Sequence, residues 1–188
     1  MIQVLGFPDA SRWRAWLARN HRRADGVWLK IAKKGSLQPS VTYAEALDEA
    51  LCFGWIDGQK KSHDAQAFLQ KFTPRRPRSI WSKRNIVHCE RLVAAGRMQP
   101  AGQAQIDAAK ADGRWDQAYD PPSRATLPDD LLRALARNRR ARESFERLDR
   151  TNRYAITWRL QTAKRPETRV RRLETFVQML ASGRKIHP

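Results

Sequence analysis

The amino-acid sequence predicts an α+β fold, in which a small, mainly antiparallel sheet flanked by helices is followed by a C-terminal helical bundle. Three short segments with the composition and alternation typical of strands cover about residues 27–34, 53–61 and 67–73. After residue 128, apolar residues recur only at helical spacing. This change of period indicates two regions of different architecture.

The first predicted elements alternate between helix and strand. A helix over about 9–20 can be capped by Asp9 or Ser11, and its apolar residues recur at i, i+3 and i+4. The strand at 27–34 follows it. A second helix over 42–51 begins with a Thr-x-x-Glu capping box, in which side chain and backbone satisfy each other's hydrogen bonds.

A hairpin is predicted next, because the turn residues at 63–64 separate the strands at 53–61 and 67–73. Segment 74–78 contains two prolines, which lack the backbone donor that a strand ladder needs. Two further helices are then predicted, at about 79–95 and 100–112.

Residues 121–128 are the best candidate for a linker, because they combine prolines and small polar residues without periodicity. They separate an α+β domain, residues 1–120, from a helical C-terminal region, residues 129–188. Four groups of apolar residues in the second region predict four helices.

The chain is strongly basic, with 37 Lys and Arg against 19 Asp and Glu and a net charge of +18. Basic proteins bind nucleic acid through counterion release. Here the excess is spread over both halves of the chain, and a dispersed excess is weaker evidence than a clustered stripe. Nucleic acid is therefore a possible partner that the sequence does not favour.

Several classes of protein are not expected. No apolar run approaches the roughly 20 residues of a membrane span, and the N-terminus lacks the pattern of a secretory signal. Cys52 and Cys89 do not make a disulfide framework, so we expect a reducing cytoplasm. The spacing of the His and Cys residues fits no metal site, and no glycine-rich phosphate loop occurs, so no metal or cofactor is expected.

The first candidate site is the stretch Trp55-Ile56-Asp57-Gly58. Strand alternation places Trp55 and Asp57 on one face. Asp57 has two alternative roles. In the first, Asp57 is structural, as one partner of an ion pair or as a turn cap. In the second, it is a half-buried carboxylate that holds a cationic or hydroxylated ligand.

The second candidate site lies within FTPRRPRSIWSKRN, residues 72–85. Three arginines precede a helix that Ser79 is expected to open: Arg75, Arg76 and Arg78. A helix N-terminus beside guanidinium groups is suited to phosphate, sulfate or carboxylate. Trp81 would stack on a flat ligand or on an arginine. The alternative is a proline-stiffened turn with solvated arginines.

Four stretches, TYAEALDEALCFGWIDGQ, FTPRRPRSIWSKRN, AAGRMQPAGQAQIDAAKADGRWDQAY and AKRPETRVRRLETFVQMLASGR, resemble the YdeI/OmpD-associated family, also labelled bacteriocin-protection proteins. The resemblance runs from about Trp28 to Arg184. It implies a cytoplasmic bacterial protein associated with envelope stress and antimicrobial-peptide resistance. It brings no catalytic residues with it.

Together these observations predict a stress- or resistance-related binding protein rather than an enzyme, with a small anion or a protein as its partner. In its basic cleft the arginines would neutralise the anion, Trp55 and Trp81 would offer stacking surfaces, and Asp57 would orient a polar group. Two alternatives remain, which are non-specific nucleic-acid binding through the basic surface and an enzyme of unknown reaction with Asp57 as base.

Overall fold

The computed structural model describes residues 2–188 and confirms the predicted fold class in this part of the chain. The N-terminal elements are β1 (Val4–Gly6), α1 (Ala10–Asn20), β2 (Val27–Ala32), α2 (Tyr43–Cys52), β3 (Trp55–Ser62), β4 (Ala67–Pro74), α3 (Lys83–Ala94) and α4 (Pro100–Ala111). The C-terminal elements are α5 (Asp129–Ala136), α6 (Arg139–Glu146), α7 (Arg150–Gln161) and α8 (Pro166–Ala181).

The sheet has the strand order β1-β2-β4-β3. Strand β1 is parallel to β2, whereas β2, β4 and β3 pair antiparallel, as the hairpin prediction requires. Strand β1 was not predicted, because a strand of three residues is too short to show alternation. A bulge in β3 between Asp57 and Lys60 changes the register of the β3–β4 pairing, so the part of the hairpin nearer the turn is paired in a different register.

One face of the sheet, called the inner face here, carries the apolar core of the N-terminal unit. Val27 of β2 pairs with Phe72 of β4, and both are buried. Helix α1 contributes Trp13, whose indole Nε1 donates to the carbonyl oxygen of Ala46 at 3.0 Å. The predicted caps are present, since Asp9 caps α1 and the capping box opens α2.

The structure divides into two compact units, one ending at Ala118 and the other comprising Tyr119–Pro188. Residues 121–128 contain no helix or strand, and the independence of the two domains stays a prediction.

The core of the second unit comes from its four helices: Leu131, Leu135, Ala141, Phe145, Ile156, Leu160, Phe176 and Leu180. Leu132 and Val170 belong to the four apolar groups that predicted these helices, but they are 46% and 54% exposed.

A single arginine ties three helices of this unit together. Arg169 at the start of α8 donates twice to the Asp130 carboxylate of α5, at 2.7 and 2.9 Å. Its Nη1 also donates to the carbonyl oxygen of Leu160 in α7 at 2.7 Å. The hydrogen bonds from Arg169 hold the pKa of Asp130 below its ordinary value of 3.8.

We expect Asp130→Asn to destabilise the protein by about 1 kcal/mol at pH 7, because the pair is bidentate but partly exposed. Since the folded-state pKa is depressed, the pair contributes fully above the ordinary value of 3.8 and its contribution is lost as pH falls through the folded value. Urea unfolding of wild type and variant between pH 7 and pH 2 measures the difference. Glu143→Gln, which breaks the exposed pair with Arg139, is the control and should change stability by only about 0.3–0.5 kcal/mol. A difference for Asp130→Asn that does not shrink below about pH 4 contradicts the linkage.

Candidate functional site

The two candidate stretches lie side by side. Strand pairing places Trp55 opposite Pro74, and Ile56 opposite Thr73. Just beyond this ladder the backbone N–H of Arg75 donates to the carbonyl oxygen of Gly54 at 3.0 Å. Adjacent side chains nevertheless point to opposite faces of a strand, so the predicted residues do not all meet in one cleft.

Both tryptophans of the predicted site belong to the core. Trp55 is 1% exposed, and its Nε1 donates to the carbonyl oxygen of His21 at 3.1 Å. Trp81 is 2% exposed and its ring contacts that of Trp115, with the centroids 4.9 Å apart. The expectation that these rings offer stacking surfaces to a ligand is therefore wrong, because neighbouring side chains cover them.

Arg75 is also buried, and it occupies the face of Trp81. Its guanidinium lies 3.5 Å from the ring centroid, and Nη1 donates to the carbonyl oxygen of Ile80 at 3.3 Å. One of the two roles expected for Trp81, stacking on an arginine, is thus observed. The pair braces the connection from β4 to α3, so Arg75 does not face a ligand from solvent, contrary to the prediction.

Asp57 lies half-buried on the inner face, where its Oδ2 accepts a hydrogen bond from the Tyr43 hydroxyl at 2.8 Å. Burial, together with the Asp57 carboxylate, raises the pKa of Tyr43 above its ordinary value. The bond joins β3 to the first turn of α2. This contact supports the structural role for Asp57. Tyr43 was missed because the two residues are 14 positions apart and share no local pattern.

Ser79 does not open the helix, which corrects the predicted anion site. Helix α3 begins at Lys83, and Ser82 caps it by accepting from the backbone N–H of Asn85 at 3.1 Å. Residues 76–79 form a turn closed by a bond from the Ser79 N–H to the Arg76 carbonyl oxygen. Arg78 stands in this turn at φ +65°, a left-handed conformation that cannot continue a helix.

The turn borders an open cleft of about 280 Å³ on the outer face of the hairpin, called the hairpin cleft here. Its lining comes from β3, β4 and the turn: Ile56, Gly58, Gln59, Lys71, Thr73, Pro74, Arg76 and Ser79. Two of these described lining residues are cations, and none of them carries a carboxylate. Of the predicted site residues, Arg76 and Ser79 line the cleft, whereas the exposed Arg78 does not.

The hairpin cleft contains polar residues that sequence reasoning overlooked, above all Lys71 and Thr73. A signal for them existed, because they alternate with Phe72, which faces the core. Residues on either side of a core-facing strand position point to the opposite face. The arrangement offers an ammonium, a guanidinium and hydroxyl groups to one ligand, which suits an oxyanion.

The other titratable clusters have structural roles. Asp48 accepts from Arg91 at 2.6 Å and from His88 at 2.9 Å. Burial opposes ionisation of Asp48, but these hydrogen bonds outweigh it and hold its pKa below the ordinary value. Burial raises the pKa of Cys89 to about 12, so this thiol stays protonated and is a poor nucleophile.

Two features are absent from residues 2–188. No group of three or more His, Cys, Asp or Glu side chains in this part of the chain is placed to bind a metal ion. No helix in residues 2–188 combines the length and the hydropathy that a membrane span requires.

Comparison with known proteins identifies two families. Residues 5–105, more than half of the chain, match the family described as Domain of unknown function (DUF8412). Residues 124–183 match the family described as Bacteriocin-protection, YdeI or OmpD-Associated, which confirms the resemblance over this segment. No curated protein and no solved structure matches the chain. The chain therefore belongs to the DUF8412 family, and residues 124–183 of its C-terminal unit are similar to the bacteriocin-protection, YdeI or OmpD-associated family.

Proposed function

We propose that this protein is a non-enzymatic anion-binding protein of the bacterial cytoplasm, that it acts in resistance to antimicrobial peptides, and that the hairpin cleft is its binding site. The match of residues 124–183 to a bacteriocin-protection family supports the cellular role. The observation that carries the binding activity is the hairpin cleft itself, where Lys71, Arg76 and Ser79 come together among described lining residues that include no acid.

The side chains of the cleft determine the class of ligand. The Arg76 guanidinium presents a planar fork of N–H donors that matches two oxygens of phosphate, sulfate or carboxylate. Lys71 adds a second positive charge, and the Thr73 and Ser79 hydroxyls add neutral donors. The volume of about 280 Å³ is at the small end for ligand sites. A single oxyanion therefore fits better than a nucleotide.

Of the roles assigned from sequence, Arg76 and Ser79 are retained in this proposal. Arg75, Trp55 and Trp81 are buried and do not line the cleft, so they have no ligand-binding role in this proposal. Asp57 does not line the cleft, and its carboxylate is bonded to Tyr43. The geometry therefore gives no support to the alternative in which Asp57 acts as a catalytic base.

Titration calorimetry with inorganic phosphate and with sulfate at low ionic strength tests the proposal. We expect Arg76→Asn to weaken binding about tenfold, because it removes a charge-assisted pair of hydrogen bonds. The matched control is Arg78→Asn, which removes the same charge from the same turn but outside the cleft, and asparagine tolerates its left-handed backbone. The control should retain nearly wild-type affinity. Equal losses in both variants, or no binding by the wild type, would overturn the proposal.

A further inference from the structure

A second basic concavity lies at the end of the hairpin that carries the turn between β3 and β4. It has a volume of about 520 Å³ and is called the lysine groove here. Its described lining residues are four lysines, a serine and a phenylalanine, none of them acidic: Lys33, Lys34, Lys60, Lys61, Ser62 and Phe68. So many like charges around one groove repel each other, and an anionic ligand relieves that repulsion.

Strand order creates this groove. Strand β4 lies between β2 and β3, and the pairs Ala32–Ala67 and Ser62–Phe68 bring the ends of β2 and β3 to the beginning of β4. Two lysine pairs that are distant in sequence thereby border one space. The dispersed charge of the sequence thus becomes a local cluster in the folded chain.

Aromatic rings support the lysines of β3. The Lys60 Nζ lies 4.2 Å from the ring centroid of Phe68, and the Lys61 Nζ lies 4.3 Å from that of Trp28. Both rings are half-buried; Phe68 lines the groove, whereas Trp28 lies outside its lining. Cationic side chains beside partly open aromatic rings are the combination with which proteins bind single-stranded nucleic acid, since phosphates meet the cations and bases stack on the rings.

Asp64, the acidic residue of the hairpin turn, is not among the residues that line the groove. The Asp64 carboxylate pairs with Lys30 at 3.7 Å, and the Lys33 Nζ donates to the backbone carbonyl oxygen of Asp64 at 2.7 Å. Lysines on an edge strand such as β3 also prevent edge-to-edge pairing of sheets. That role does not account for Lys33 and Lys34, which follow the central strand β2.

We infer that the lysine groove binds single-stranded nucleic acid, with its four lysines on successive phosphates and Phe68 stacked on a base. Lys60 leaves the ring of Phe68 for a phosphate when the base arrives. The volume exceeds that of the hairpin cleft and suits a nucleotide unit of a polymer rather than a lone oxyanion. Duplexes bind more weakly, because their bases are paired and cannot stack on the ring.

Fluorescence anisotropy with a labelled oligothymidine of about ten nucleotides tests the charge contribution. Lys60→Ala/Lys61→Ala should weaken binding at least about tenfold and lower the slope of log affinity against log salt by about 1.4, since each phosphate contact contributes about 0.7. The control Arg22→Ala/Arg23→Ala removes the same charge from exposed residues of the same unit. It should weaken binding less than about threefold. Equal losses in the two double variants would overturn the inference.

Phe68→Leu tests the stacking contribution, because leucine keeps an apolar side chain against the core. We expect about fivefold weaker binding with an unchanged salt slope. Ultraviolet crosslinking of wild type to the oligothymidine should place the modified peptide within residues 60–71. Crosslinks confined to residues 129–188, or equal affinity for a duplex of the same length, would overturn the assignment.

The two proposed sites can fail separately. Arg76→Asn should weaken phosphate binding and leave oligothymidine binding unchanged, because Arg76 lines the hairpin cleft and not the lysine groove. Lys60→Ala/Lys61→Ala should have the opposite effect. If both variants lose both activities in proportion, one general basic surface replaces the lysine groove as the explanation, and the inference is wrong.

Discussion

Replacing Gly102 by alanine should destabilise the N-terminal unit by about 2 kcal/mol, although alanine is the better helix former. Gly102 lies in α4, where the helix crosses the end of α2. A Cβ at this position would lie 2.7 Å from the carbonyl oxygen of Leu51, and closer still to that of Cys52. These are backbone atoms, and the Cys52 oxygen already accepts from the Gln99 N–H at 3.1 Å. The helices must therefore separate.

Two opposing effects determine the size of this change. In an exposed helix, alanine in place of glycine gains about 1 kcal/mol. Overpacking a tight contact costs about 1–3 kcal/mol and sometimes more. The overlap here involves two backbone oxygens and the sulfur of Met98, so the cost is at the upper end and exceeds the gain.

Gly6→Ala is the matched control, because the added Cβ would lie 3.9 Å from the Lys30 Cβ in ordinary contact. Urea unfolding measures both variants, and hydrogen exchange of peptides from α2 and α4 shows where protection is lost. We expect Gly6→Ala to remain within about 0.5 kcal/mol of wild type. A Gly102→Ala protein as stable as the control would contradict the close packing of α4 on α2.

The same packing supports the hairpin cleft. Gly54 follows α2 at φ +74°, and a Cβ there would lie 2.8 Å from the carbonyl oxygen of Ala101 in α4. The Gly54 carbonyl oxygen accepts from the Arg75 N–H, so a shift of α4 reaches the strand ends that border the cleft. Gly102→Ala should therefore also weaken phosphate binding, because it displaces the residues that border the cleft although Gly102 itself does not line it.

Local signals in the sequence were enough for much of the fold. Asp9 and the Thr42 capping box predicted where α1 and α2 begin, because capping involves residues within one helical turn. The beginning of α3 was predicted wrongly, since Ser79 and Ser82 are both suitable caps by residue type. The left-handed Arg78 decides between them, and its backbone conformation could not be deduced from the neighbouring residues.

The candidate site was harder to predict, because it depends on which strands become neighbours. A tryptophan followed by aspartate and glycine occurs both in hydrophobic cores and at binding sites, so the local sequence around Trp55 does not distinguish the two. Its burial follows from packing against α1, where Trp16 meets its ring edge-on at 5.8 Å. Arg76 could be found from composition, whereas the meeting of Lys33 with Lys60 depends on β4 lying between β2 and β3.

Asn152→Ala should destabilise the C-terminal unit by about 2–3 kcal/mol, the second large effect we expect. This side chain of α7 is 1% exposed and fixes the end of the chain. Its Oδ1 accepts from the backbone N–H groups of Ile186 and His187, at 3.0 and 2.9 Å. Its Nδ2 donates to the His187 carbonyl oxygen at 3.3 Å and to Asp149 at 3.2 Å. Alanine satisfies none of these groups, so segment 186–187 should detach along with the Ile186 side chain, which packs on the core.

Urea unfolding followed by circular dichroism measures the loss, and hydrogen exchange of the C-terminal peptide locates it. Asn138→Ala is the control in the same unit, because it removes only the N-cap bond to Ala141 and should cost about 1 kcal/mol. If the two alanine variants lose the same stability, Asn152 does not hold segment 186–187 in place, and this prediction is wrong.

Asn152→Asp separates the contribution of the Oδ1 acceptor from that of the Nδ2 donor. It keeps an acceptor oxygen for the N–H groups of Ile186 and His187, but it places a second carboxylate beside Asp149. In the wild type, hydrogen bonds from the backbone N–H and, to a smaller extent, from the side chain of Asn152 hold the pKa of Asp149 below its ordinary value. Burial of this position and repulsion by Asp149 raise the pKa of the introduced carboxyl in the folded state. They outweigh the two backbone N–H groups, which lower it, because full burial alone shifts a carboxyl pKa by up to about 3–5 units. A group with a raised folded pKa favours folding below its unfolded value, near about 3.9, and loses that contribution as pH rises. The variant should therefore be close to wild type at about pH 4 and clearly less stable at pH 7, whereas Asn152→Ala should be equally impaired at both. A pH-independent loss in Asn152→Asp would show that the acceptor bonds to the chain end are not what holds this segment in place.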